Sequence, residues 1–221
     1  MKLKLFPLFI MCLPNVLKIM CLNMHPKHHV HPSAKIGFLT YLDAEHISIG
    51  KDSVMGAMNL VKGLEHFELG KNCAIGTMNR FTATASEKQF THCMERKRVF
   101  QMNDHAGIVN AHFFDCNDAI EIGKFTILAG FGTSFFTHGI DFNESRQGTN
   151  PILIGDYCMV GPQCLVLKGA KLPNFSVLAG NSTLHKSFDE EYGLYSGVPA
   201  HFMKKLDPVA KFFHRTERYI D

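Results

Sequence analysis

From Ile154 to Thr183 the chain divides into sixes without a gap: Ile154-Gly-Asp-Tyr-Cys158-Met, Val160-Gly-Pro-Gln-Cys164-Leu, Val166-Leu-Lys-Gly-Ala170-Lys, Leu172-Pro-Asn-Phe-Ser176-Val, Leu178-Ala-Gly-Asn-Ser182-Thr. Every first position is aliphatic and every fifth is small. Six is not a multiple of 3.6, so no helix face gathers these aliphatics. A half-buried strand would alternate every two residues and would not ask for a small residue at a fixed place. Six residues do fit one short strand and one corner. The aliphatic points into a narrow core, and the small residue lets the chain turn. Three such sides close a triangular coil, and stacked coils satisfy each other's backbone groups about 4.8 Å apart.

The same rule governs Ile49/Met55/Val61, Leu69/Ile75/Phe81, Met102/Ile108/Phe114 and Ile122/Leu128/Ser134. The runs open on related phrases: Ile47-Ser-Ile-Gly-Lys, Phe67-Glu-Leu-Gly-Lys, Phe100-Gln-Met-Asn-Asp, Ile120-Glu-Ile-Gly-Lys and Ile152-Leu-Ile-Gly-Asp. Two of the four intervals between them are one coil long, and two carry about a dozen extra residues. Loops therefore leave the stack near 86–98 and 139–150. The repeat region covers 31–206, preceded by an apolar, basic helical segment over 1–30 and followed by a helix over 207–221.

Composition agrees with one packed domain. The 221 residues are 46% hydrophobic and 19% charged, which excludes a disordered chain. A net charge of +3 from scattered basic residues gives no nucleic-acid footprint. Seven cysteines without a C-x-x-C spacing suggest a reducing cytoplasm. Leu5–Leu17 is apolar but interrupted by Pro7 and Pro14, and too short to span a bilayer. It reads either as an in-plane segment on the inner membrane face or as a helix covering the end of the domain. A signal peptide would need a small-x-small cleavage site, which is missing.

The hexads resemble those of the hexapeptide-repeat acyltransferases, and the resemblance implies an all-β fold, a left-handed parallel β-helix. Phe136-Thr-His138-Gly, a loop, then Pro151-Ile-Leu-Ile-Gly is similar to the active-site segment of the sugar and polysaccharide O-acetyltransferases. Ser196-Gly-Val-Pro-Ala200 resembles the family's closing turn. The activity this resemblance implies is transfer of an acetyl group from acetyl-CoA to a sugar hydroxyl, on a surface polysaccharide or its precursor. A small free acceptor is the rival reading, and a silent trimeric scaffold a third. The resemblance also implies a homotrimer with sites between subunits.

By that resemblance His138 is the general base, set where a coil gives way to a loop. Counting twenty residues back puts Asp118 in its column as the orienting carboxylate, with Asp115 and Asp141 as rivals. Gly161, Ala179 and Gly180 would let coenzyme A approach the coils, and Lys186, Lys204 and Lys205 would meet its phosphates. Asp141, Glu144 and Arg146 lie in the loop that would face the acceptor. His25, His28, His29 and His31 are dense, but the fold's zinc-dependent branch uses two histidines five residues apart, and no pair here has that spacing. No metal is expected.

Overall fold

The computed structural model describes residues 4–84 and 89–220. The hexads become short strands joined by corners: Met159–Val160, Leu165–Leu167, Lys171–Leu172, Val177–Leu178 and Thr183–Leu184. Each strand pairs in parallel with strands a coil away. Val160 lies opposite Leu128 and Leu178, Val166 opposite Phe135 and Leu184, and Ile154 opposite Ile122 and Leu172. Three such columns make a three-sided parallel β-helix. One side is a nine-stranded sheet. The other two merge into one sheet of twelve, because Tyr41–Ile49 and Leu60–Leu69 run unbroken round a corner.

The first positions of the hexads line the interior, where Met55, Ile75, Ile108, Leu128, Val160, Leu172 and Leu178 are all buried. Along one column the aliphatics give way to rings: Phe81 stacks on Phe114 at 4.6 Å and Phe114 on Phe135 at 4.8 Å. The small fifth positions also carry hydrogen bonds between coils. Ser53 Oγ donates to the Gly70 carbonyl at 2.6 Å, and Cys158 Sγ to the Pro173 carbonyl at 3.0 Å. Burial raises the Cys158 thiol to about 12 and the Cys73 thiol to about 11, so these cysteines serve as corner donors rather than nucleophiles.

One unit departs from the strict count. Ile108 faces Leu128, twenty residues on, but Phe114 faces Phe135, twenty-one on. An extra residue is absorbed between Leu128 and Phe131, where the register shifts and Gly130 takes φ of 72°. Phe135, not Ser134, is therefore the inward residue of this unit.

Two helices, α1 (Leu5–Ile10) and α2 (Asn15–Asn23), cover the first coil. Ile10, Ile19 and Leu22 join the core. Asn15 and Asn23 take the place of a missing coil. Asn15 Nδ2 donates to the Ala34 carbonyl at 2.9 Å while its Oδ1 accepts from the Ile36 amide at 2.8 Å. Asn23 does the same for the carbonyl and amide of Val30, both at 2.8 Å. Lys18, 1% exposed, donates to the Gly37 carbonyl at 2.7 Å. Among the described residues no helix is long and apolar enough to cross a membrane.

The second loop is an antiparallel hairpin, His138–Asp141 against Arg146–Thr149. Of the first loop, residues 85–88 lie outside the described residues. Ser196–Ala200 is the turn into an antiparallel strand, His201–Lys205, that closes the nine-stranded sheet. Beyond it the helix expected over 207–221 is reduced to a single 3-10 turn, Lys211–His214. Its side chains are committed to the stack instead. Phe213 meets Tyr192 edge-on at 5.4 Å, and the Tyr157 hydroxyl donates to the Arg215 carbonyl at 3.2 Å.

Candidate active site

His138 begins the hairpin, its side chain one-third exposed. Its Nδ1 lies 2.5 Å from Oδ2 of Asp115, whose carboxylate is 6% exposed. A carboxylate only accepts, so Nδ1 carries the proton and the Nε2 lone pair is left free. The hydrogen bond from His138 to Asp115 raises the imidazole pKa above its ordinary 6.5. Burial and the nearby positive charges of Lys168 and Arg96 pull in the opposite direction.

Asp115 is itself held. It accepts from the Thr137 amide at 3.1 Å and from the Asn117 side-chain amide. Thr137 Oγ1 donates to the Asp115 carbonyl at 2.7 Å. Asn117 Oδ1 accepts from the Thr84 amide at 2.9 Å, and Arg96 donates to the Thr84 carbonyl at 2.9 Å. Arg96 also stacks over Phe90, whose ring meets His138 edge-on at 5.9 Å. The first loop thus folds back onto the hairpin, and Cys93 Sγ donates to the Gln147 carbonyl at 3.4 Å.

Asp118 does not orient His138. With the extra residue between Leu128 and Phe131 the column partner of His138 is Asn117, and the carboxylate that reaches the ring is Asp115. Asp118 instead accepts from the Ala119 amide at 2.8 Å and lines a cleft of about 830 Å³ with Glu95, Arg96, Glu121, Thr149 and Leu153. His112, one coil earlier, is closed off from such chemistry: it is 1% exposed, its Nδ1 accepts from the Thr133 amide at 3.2 Å, and burial lowers its pKa to about 4. The sequence reading missed Asn117, Arg96, Phe90 and Lys168. Only Asn117 had a signal, the glycine pair that marks the insertion.

The other expected residues are dispersed. Asp141 pairs across the hairpin with Arg146, and its Oδ1 accepts from the amides of Asn143 and Glu144. Arg146 lies 3.4 Å from Glu144 at the exposed tip, so Asp141 is spent on the turn's backbone and Arg146 on its neighbour. Gly161 continues the register opposite Ala179, with Gly180 the next residue along, but a Cβ on Gly161 would stand 2.4 Å from the Gly180 nitrogen. Close stacking of coils already requires that glycine. Lys186 lies over the Phe188 ring at 5.2 Å, whereas Lys204 and Lys205 are on the closing strand of a different side. Of the clustered histidines, His25 stacks on His28 at 4.6 Å and His31 bonds Ser33.

No protein-family model matches the chain. Over 120 residues, 44% of the chain and 66% of the relative, it is 27% identical to a probable macrolide acetyltransferase of Lysinibacillus sphaericus. The match therefore spans just under two thirds of that relative's length. A variant of the N-acyltransferase AntD from Bacillus cereus, solved with dTDP and coenzyme A, superposes with a TM-score of 0.60 at 13% identity, over 72% of this chain and 84% of that one. A hexapeptide-repeat acetyltransferase from Vibrio cholerae O1 biovar eltor, solved with acetyl coenzyme A, gives 0.51 at 21% identity, over 63% and 70%. The chain has the left-handed hexapeptide-repeat fold. Within that fold, the hexapeptide-repeat stack holds His138 at a coil's edge, between two loops and one carboxylate.

Proposed function

We propose that the chain is an acyltransferase that moves an acetyl group from acetyl-CoA to a hydroxyl of a carbohydrate acceptor. The observation that carries this is the His138–Asp115 pair, with Nε2 unencumbered at a loop-walled edge. A thioester is already activated, so the protein's task is to deprotonate the hydroxyl and align it. His138 Nε2 takes the hydroxyl proton as the oxygen attacks the thioester carbonyl. The carbon–sulfur bond then breaks, and the departing thiolate receives the proton from His138. The polar lining of the adjoining cleft, with Asp118, Glu121 and Arg96, suits sugar hydroxyls. The donor is a cytoplasmic metabolite, and seven free cysteines agree with a reducing compartment. Lys168 would supply positive charge near the base, while Lys186, Lys204 and Lys205 stay candidates for the coenzyme's phosphates.

The relative named as a macrolide acetyltransferase favours a second reading, in which the acceptor is a small free molecule. Both readings are tested by following coenzyme A thiol release with acetyl-CoA and a panel of oligosaccharides and macrolides. His138→Ala should lower turnover about 10²–10⁴-fold while keeping coenzyme A affinity. A fall below tenfold would place the base elsewhere, and loss of affinity without loss of the chemical step would reassign the residue to binding. We further propose a homotrimer. Phe38, Leu39, Met58, Met78 and Phe131 expose apolar side chains along one corner of the stack, which supports self-association there.

A further inference from the structure

In α2 Ile19 and Leu22 enter the core, but the polar side chains turn onto the protein beside them and the outward face is apolar. Asn15, Lys18 and Asn23 are turned onto the first coil and spent on its backbone. The outer surface of the two helices is left to Phe6, Phe9, Val16, Leu17, Met20 and Met24, exposed by 51, 65, 68, 46, 60 and 81%. A helix facing water shows the reverse arrangement, and scattered surface apolar residues do not gather on one face. The orientation is fixed, because turning the helix over would strip the first coil's carbonyls and amides of their partners.

The segment that forms this face carries basic charge only. Residues 1–42 hold five lysines and no aspartate or glutamate. The first acid in the chain, Asp43, is already paired with Lys4 at 2.8 Å. Lys27 and Lys35, both exposed, flank the capped end of the stack. An apolar centre flanked by the exposed Lys27 and Lys35 complements a bilayer carrying anionic headgroups, where apolar side chains enter the acyl boundary and lysines meet phosphates. A second copy of the same cap would instead bring cations against cations.

We infer that the outer face of α1 and α2 docks the protein flat onto an anionic lipid bilayer, with the β-helix standing on its capped end. The inference does not depend on the acyl-transfer reading. The test is co-sedimentation of the full chain with vesicles of phosphatidylcholine alone or with phosphatidylglycerol added. The wild type should pellet with the mixed vesicles. Phe9→Ser/Leu17→Ser/Met20→Ser, all outward, should weaken partition at least about tenfold at an unchanged unfolding midpoint. Lys27→Gln/Lys35→Gln should lose the preference for anionic over neutral vesicles. Wild type remaining in the supernatant, or partition equal in the triple variant, would overturn the inference. So would a doubled mass in vesicle-free light scattering that the triple variant abolishes, which would give the face to a second copy.

Discussion

A proton held on Nδ1 by Asp115 does two things to His138: it fixes the tautomer and it makes the ring a stronger base. Its pKa lies above 6.5, so kcat/KM should rise with pH through a limb above that value. In Asp115→Asn the limb should move to lower pH and the plateau fall roughly 10²-fold. A limb that stays in place would mean the carboxylate does not tune the base. Linkage gives a second readout. A raised imidazole pKa adds stability that is fully present below about pH 6.5 and is lost as pH rises through the folded value. The melting-temperature gap between wild type and His138→Gln should therefore narrow on the alkaline side. His138 was legible in sequence because its neighbours resemble a known segment. Asp115 was not, because one residue inserted between Leu128 and Phe131 moves the column, and spacing alone counted to Asp118.

At the scale of elements, the hexad rule translated directly into strands and corners, since each position has one steric task. It failed at Ser134 for the same reason that it failed at Asp118: an insertion is invisible to a fixed period. The ends were less legible because they answer to the stack rather than to local periodicity. The final segment gave up its helix to place Phe213 and Arg215 against the corner rings. The N-terminal segment reads as apolar almost throughout, so its few polar residues did not disclose a direction. Their bonding does. Asn15→Ala would leave the Ala34 carbonyl and the Ile36 amide without partners, and should cost about 1–3 kcal/mol. Urea unfolding should show a lower midpoint at an unchanged slope. The outward Val16→Ser should stay within about 0.5 kcal/mol of wild type. Equal midpoints for the two variants would mean the cap does not hold the first coil.

At the scale of the whole molecule, a stack of identical coils turns any repeated surface choice into a stripe. Met58 and Met78 occupy the same corner position on successive coils: the Met58 amide donates to the Phe38 carbonyl and the Met78 amide to the Ala57 carbonyl. Both are 51% exposed, in left-handed conformation with φ of 58° and 59°. Leu39 continues the stripe at one end, and Phe131, 58% exposed, lies further along the same corner. Unbranched methionines fill irregular gaps well, which suits a surface packing against a curved copy of itself. A closed threefold ring buries this stripe on every subunit, whereas an open arrangement would leave one stripe wet. Light scattering should return about three times the 24.8 kDa chain mass. Met58→Glu/Met78→Glu should return a single chain, because six carboxylates cannot share a dry seam. These positions are remote in sequence from His138 and Asp115, so a folded monomeric variant would retain that pair. If the neighbouring subunit completes the site, turnover should fall together with mass. A monomeric wild type with full activity would reject both the ring and the shared site.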